Sequence, residues 1–180
     1  MLSKNAVTMP FGTGAFLIYT KKQFNSLIYS PNSFIMKKKV FSLMMMLVLA
    51  FMGSARAEIV EIGVGGTATN SYIPIYEFYN YSITQQIYTA DEIGTAGTIN
   101  SVAFYTAGSA TRTVDVYMVN TTVSSFGSNN DWIPVTAADM VYTGTVAEVA
   151  DGWTTIALTT PFVYDGVSNM LLVMLDHTGS

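Results

Sequence analysis

The alternation of apolar and polar side chains along TRTVDVYMV, from Thr111 to Val119, constrains the fold more than any other feature of the chain. In an extended segment Val114, Val116 and Met118 lie on one face, and the intervening residues lie on the other. A helix would need its apolar residues three or four positions apart. This stretch is therefore predicted to be a β-strand with one buried face.

Six more stretches are rich in β-branched, aromatic or other apolar residues and are bounded by Gly, Asn and Asp. They are residues 58–62, 82–89, 98–105, 140–146, 153–160 and 170–175. No long window has its apolar residues at helical spacing, and turn signals separate the stretches. We therefore predict an all-β fold, an antiparallel β-sandwich of the jelly-roll or immunoglobulin-like type.

The last of these stretches, MLLVML at 170–175, is apolar on both faces, which is typical of a central strand covered on both sides. A central strand needs a neighbour at each edge, and the sequence ends at Ser180, soon after this stretch. We therefore expect that the domain is truncated at its C-terminus and that at least one further strand follows Ser180.

Residues 36–57, MKKKVFSLMMMLVLAFMGSARA, have the three parts of a secretory signal peptide. Three lysines precede an almost unbroken apolar run over 40–52, and the segment ends in Ala-Arg-Ala. The small residues Ala55 and Ala57, at the third and first positions before the cut, predict cleavage between Ala57 and Glu58. The alternative is that this segment is a buried core helix, but such a helix would not carry both the three lysines and the Ala-Arg-Ala end. The run is shorter than the ~20 apolar residues that span a bilayer, so no stable membrane span is expected after cleavage.

The signal peptide divides the chain into three parts. Residues 1–35 are predicted to be an extension from a start codon assigned too early, with Met36 as the true initiator; a long unusual leader is the alternative. Residues 58–180 then form one β-sandwich domain, exported to the cell surface or the extracellular space. Residues 1–57 are accordingly left out of the fold prediction.

Charge is distributed unevenly about the predicted cleavage site. Seven of the eight basic residues lie before it, whereas all 12 carboxylates lie after it. Residues 58–180 keep Arg112 alone against those carboxylates, a formal net charge of −11. A domain this acidic is not expected to bind nucleic acid or anionic membranes, which attract clusters of Lys and Arg. Arg112 is expected to have a structural role, pairing with a carboxylate.

No cofactor or metal site is predicted. Calcium is compatible with the carboxylates, but no Asp-x-Asp-x-Asp loop supports it. The chain has no cysteine, which excludes thiol catalysis and cysteine-ligated zinc. His177 is the single histidine, and its neighbour Asp176 would point to the opposite face of a strand, so a catalytic triad is not expected there. We predict that this domain is not an enzyme and leave open the activity of a longer gene product.

Five phrases in a fixed order carry a resemblance to a known family. They are QQIYTADEIGTAGTINSVAFYTAG, TRTVDVYMVNTTVSSF, DWIPVTAADMVYTGTV, GWTTIALTTPFVYDG and NMLLVMLDHTGS, over residues 85–108, 111–126, 131–146, 152–166 and 169–180. Together they resemble a β-sandwich module of secreted multidomain surface proteins of Bacteroidetes. The resemblance implies neighbouring fibronectin type III, adhesin-like or gingipain-type peptidase domains, and it supplies no catalytic residues.

Two groups of aromatic residues are candidates for ligand binding. One is the segment NSYIPIYEFYNYS, residues 70–82, which also contains Phe78, and the other is the turn DWIP. The candidate residues are Tyr72, Tyr76, Tyr79, Tyr81 and Trp132. Exposed aromatic rings stack on sugars or anchor protein partners. The alternative is that they seal the end of the sandwich, and for Trp132 a buried turn anchor is the favoured interpretation.

These observations predict a non-catalytic binding or adhesion module of an exported bacterial surface protein. Its expected partner is a glycan or an extracellular protein. The alternative is an accessory domain of a larger secreted peptidase or glycoside hydrolase.

Overall fold

The computed structural model describes residues 3–8, 16–21, 57–63, 73–76 and 78–179. Within these ranges there are nine strands and two short helical turns. The strands are β1 (Ser3–Thr8), β2 (Phe16–Lys21), β3 (Ala57–Ile62), β4 (Ser82–Tyr88), β5 (Gly97–Thr106), β6 (Thr111–Thr121), β7 (Met140–Ala147), β8 (Gly152–Tyr164) and β9 (Asn169–Asp176). The turns are α1 (Ala90–Ile93) and a 3₁₀ turn (Ala137–Asp139). None of the described helices is long and apolar enough to cross a bilayer.

The strands form two sheets. One has five strands in the order β1-β4-β9-β6-β7, and the other has four in the order β3-β2-β5-β8. Neighbouring strands are antiparallel except for β1 and β4, which are parallel. The main core takes side chains from both sheets, among them Ile18, Val102, Val114, Val116, Met118, Ile156, Met170 and Leu172. The predicted all-β antiparallel sandwich is confirmed.

All seven predicted strands are present, and two more lie upstream of them. The fold prediction leaves out residues 1–57, but β1 and β2 are strands of the two sheets. β2 pairs with both β3 and β5, and its Ile18 is fully buried. Where translation begins and where the chain is cleaved stay predictions.

The strand β9 is central, as its two apolar faces predict. Its neighbours are β4 on one side and β6 on the other, and Val173 is level with Gln85 and Tyr117. Both neighbours precede β9 in the chain, so β9 needs no strand beyond Ser180 to pair its edges. The expectation of an unpaired edge at β9 is therefore wrong, because order along the chain does not fix order in the sheet.

The outer face of the five-stranded sheet is covered by the loop between β6 and β7. Ile133, Val135 and Phe126 of this loop pack against a second apolar cluster that includes Leu171 and Val173 of β9. This second layer explains why β9 is apolar on both faces, since one face meets the main core and the other meets the loop.

Candidate functional site

Three aromatic rings form a cluster on the surface just before β4. The ring centroids of Tyr76 and Phe78 are 6.1 Å apart, and Tyr79 packs edge-on against each of them at 5.1 Å. Phe78 is 78 % exposed, and Tyr79 and nearby Tyr81 are 39 % and 46 % exposed. We call Tyr76, Phe78 and Tyr79 the aromatic cluster. Its rings contact one another, and Phe78 remains largely exposed to solvent.

The chain on the N-terminal side of the cluster is fixed to the sandwich. Ile75 is buried in the main core. The Thr84 hydroxyl of β4 donates a hydrogen bond of 2.6 Å to the Pro74 carbonyl. The Tyr79 amide donates to the Tyr76 carbonyl at 3.2 Å, which closes the turn that carries Phe78. The cluster is therefore presented on a short turn between two anchored points.

A buried ion pair lies beside the cluster. The Arg112 guanidinium contacts the Asp176 carboxylate at 3.3 Å and donates to the Tyr79 carbonyl at 3.5 Å. Arg112 is 8 % exposed and Asp176 is fully buried. The prediction that Arg112 pairs with a carboxylate is confirmed. The pair joins the first residues of β6 and the end of β9 to the turn that holds Tyr79.

The residues after β9 complete this attachment. Asp176 accepts hydrogen bonds from the backbone amide of Thr178 at 2.9 Å and from its hydroxyl. The Thr178 hydroxyl in turn accepts a bond of 2.9 Å from the Thr113 amide. The Gly179 amide donates to the Asn80 carbonyl at 3.0 Å, inside the aromatic segment. Residues 176–179 therefore bridge β6 and the segment that carries the cluster.

His177 and Asp176 point in different directions, as predicted. The His177 imidazole lies 3.2 Å from the Asp115 carboxylate and is partly exposed, whereas Asp176 is buried against Arg112. The carboxylate adjacent in sequence is thus not the one that orients the imidazole. Within the described residues, no group of three His, Asp or Glu side chains is arranged to hold a metal ion.

Trp132 occupies a different place from the aromatic cluster. It is half-buried in the loop between β6 and β7 and makes no ring contact with the cluster. Its neighbours are held on both sides, since Asp131 accepts a 2.8 Å hydrogen bond from the Gly127 amide and Ile133 is bonded to Gln85. The turn that carries Trp132 is therefore attached to the outer face of the sheet. Tyr72 lies outside the described residues.

Phe78 is the residue that the sequence does not single out as a ligand contact, although it is the most exposed of the described rings in the segment. The segment has no apolar periodicity that would separate exposed rings from buried ones. Exposure here depends on the turn between Tyr76 and Tyr79, which forms against β4 and β6 rather than within the segment itself.

No family model, no curated protein and no solved structure matches the chain.

Proposed function

We propose that the chain is a non-catalytic binding module of an exported bacterial surface protein, and that the aromatic cluster is its ligand contact. The observation that carries the proposal is Phe78, which is 78 % exposed at the centre of an anchored turn. Large rings held at the surface in contact with one another are typical of binding sites rather than of ordinary surface. A residue that sealed the end of the sandwich would instead be buried.

Anchoring of the turn that carries the aromatic cluster favours binding because it lowers the conformational entropy lost when a ligand binds. Free aromatic loops lose conformational freedom when they meet a partner, which weakens the complex. Here Ile75 is in the core, and the Tyr79 carbonyl accepts a hydrogen bond from buried Arg112. Ile75 and Tyr79, which flank the turn, are therefore held by the sandwich before any ligand arrives.

The acidic surface is a weaker candidate for the contact. Exposed ion pairs contribute about 0.2–1 kcal/mol each and are screened by salt. Truncation of a central interface ring often costs about 2 kcal/mol or more. The affinity of this module is expected to depend on the rings, with the carboxylates affecting association rate.

We favour an extracellular protein over a glycan as the partner. Tyr76 and Phe78 lie at 27° to each other, but Tyr79 lies at 83° to Tyr76 and at 84° to Phe78, so the three rings do not form one flat platform. Sugar rings stack on flat aromatic faces, and the side chains around them supply hydrogen bonds. Phe78 has no polar atom and suits insertion into an apolar recess of a protein partner.

The test is binding of the full chain to an array of extracellular proteins and glycans. Phe78→Ala is expected to lower affinity for a bound protein at least tenfold, with little change in melting temperature because the ring is exposed. Val167→Ala is the matched control, since Val167 is 83 % exposed at the other end of β9.

Two outcomes would contradict the proposal. One is binding that survives Phe78→Ala but disappears at high salt, which would assign the contact to the acidic surface. The other is a large fall in melting temperature with Phe78→Ala, which would make the ring a structural residue. If the chain binds glycans alone and Phe78→Ala abolishes that binding, the aromatic cluster remains the binding site and the partner is a glycan.

A further inference from the structure

The strand β2 is a central strand of the four-stranded sheet, and the exported chain would lack it. It lies between β3 and β5 and is antiparallel to both. The predicted cleavage after Ala57 would remove β2 together with β1. Loss of β1 leaves β4-β9-β6-β7 intact, because β1 is at an edge. Loss of β2 separates β3 from β5.

Two unpaired strand edges would then face each other across a gap one strand wide. The edge of β5 that pairs with β2 runs from Thr98 to Phe104. Its backbone groups and those of β3 would have no ladder partner, which is costly beside a buried core and promotes association with other chains. Ile99 and Val102 of this edge are fully buried in the uncleaved chain.

The apolar side chains of β3 face the core in the same way as Ile18 of β2, the strand that β3 would replace. Ile18 of β2 is level with Val60 of β3 and with Val102 of β5, and it is fully buried. Val60 packs against the same core, and Ile62 is itself a buried member of it. Between them Glu61 is exposed, so β3 already has its apolar residues on the inner face.

We propose that the edge of β5 is a strand-acceptor site, and that β3 takes the place of β2 there once the leader is removed. Since β3 is antiparallel to β2 and β2 is antiparallel to β5, β3 would pair with β5 in parallel. The required shift is one strand spacing, about 4.8 Å. Residues 63–81 connect β3 to β4 and are long enough for it. The exported form would thus lack the edge strand β1 and would pair β3 directly with β5. This proposal rests on export, which is part of the proposed function, but not on ligand binding.

The absence of cysteine allows a direct test in the full chain. Val60→Cys and Val102→Cys are introduced together. With β2 between them, the two Cα atoms are separated by two strand spacings, roughly 10 Å, which is beyond the ~7 Å limit for a disulfide. With β3 beside β5, they come within reach. Ile18→Pro expels β2, because proline cannot donate to the ladder of a strand with neighbours on both sides. Ile18→Val is the matched control that retains β2.

The expected result is an intramolecular disulfide in the Ile18→Pro background and none in the Ile18→Val background, measured by mass spectrometry after mild oxidation. Far-UV circular dichroism follows folding. An unfolded Ile18→Pro protein would overturn the proposal, since β3 would then be unable to replace β2. So would a folded monomer without the disulfide, or a disulfide between two molecules, which would make a second copy the occupant. A disulfide in the control would show that β2 does not separate the strands. None of these outcomes depends on the aromatic cluster, so the binding proposal is judged separately.

Discussion

At the scale of single residues, the contacts with the largest expected effect join positions far apart in the chain. Arg112 and Asp176 are 64 residues apart, and both are withdrawn from solvent. A buried charge is stabilised in the fold only while its partner is present. By contrast, His177 and Asp115 form a pair that retains contact with water.

The first prediction concerns this ion pair. Arg112→Met is expected to lower the free energy of unfolding by about 3–5 kcal/mol, because it leaves the Asp176 carboxylate buried without its counter-charge. The measurement is urea unfolding at neutral pH. His177→Gln is the matched control and is expected to cost less than about 1 kcal/mol, since its pair is partly exposed. Equal effects of the two variants would contradict the assignment of Arg112 and Asp176 as a buried pair.

The second prediction concerns Tyr88 and alkaline pH. Burial, and to a lesser extent the charge of Glu92, raise the pKa of Tyr88 well above its ordinary value of 10.0. Its hydroxyl donates a 2.8 Å hydrogen bond to Gln86. A raised folded-state pKa means that the stabilisation is complete below the unfolded pKa and is lost as pH rises above it towards the folded pKa. Stability is therefore expected to fall above about pH 10, with Tyr88 contributing about 1.4 kcal/mol per pH unit.

Tyr88→Phe separates this effect from general alkaline unfolding. The variant is expected to be less stable than wild type at pH 7 by about 1 kcal/mol, because the hydrogen bond to Gln86 is lost. Above pH 10 its stability should decline less steeply than that of wild type. Burial also raises the pKa of Tyr117 and Tyr164, so some slope remains in both proteins. Identical slopes would mean that Tyr88 ionises in the folded state.

At the scale of elements, the Gln85 side chain holds the loop between β6 and β7 to β4 through two hydrogen bonds to the Ile133 backbone. Gln85 is buried in β4, and its side-chain Nε2 donates to the Ile133 backbone carbonyl at 2.6 Å. The Ile133 backbone amide donates back to the side-chain Oε1 of Gln85 at 3.0 Å. This pair of bonds resembles one rung of a β-ladder and holds the loop between β6 and β7 to the outer face. The loop in turn covers Leu171 and Val173.

The third prediction is that Gln85→Met releases this loop. Met is similar in volume but supplies neither bond, so the peptide groups of Ile133 lose their partners at a cost of about 1–3 kcal/mol. Amide hydrogen exchange at Ile133 should accelerate, and proteolysis should begin within residues 122–136. Thr159→Val is the control, because its hydroxyl makes one bond of 2.9 Å to the Val141 carbonyl from an exposed position. Unchanged exchange at Ile133 in Gln85→Met would mean that apolar contacts alone hold the loop.

At the scale of the whole molecule, the N-terminal residues are predicted to be removed with the leader, yet some of them form strands of the two sheets. The signal sequence over 36–57 predicts that everything before Glu58 is removed. The uncleaved chain nevertheless uses residues 3–8 and 16–21 as strands. Both conditions hold if the exported form lacks the edge strand β1 and pairs β3 with β5 in place of β2, as proposed for the strand-acceptor site.

The fourth prediction is that export produces a chain that begins at Glu58. N-terminal mass spectrometry of secreted material decides this, because each candidate cleavage site gives a different mass. Ala57→Leu is expected to block or displace the cut, since the peptidase requires a small residue there. Ile59→Leu, beyond the predicted site, is the control. A secreted chain that still contains residues 16–21 would contradict the prediction and keep β2 in the exported protein.

The sequence by itself determined where the strands of residues 58–180 lie and which face of β6 is buried. Alternation of side chains is a local property, so Val114, Val116 and Met118 indicate their burial without reference to the rest of the chain. It also predicted that Arg112 needs a carboxylate, because this part of the chain has no other cation. Only the tertiary structure decided that the carboxylate is Asp176, that β9 lies between β4 and β6, and that Phe78 is exposed. These facts depend on contacts between residues distant in the chain, and no local pattern specifies which distant segment supplies the partner.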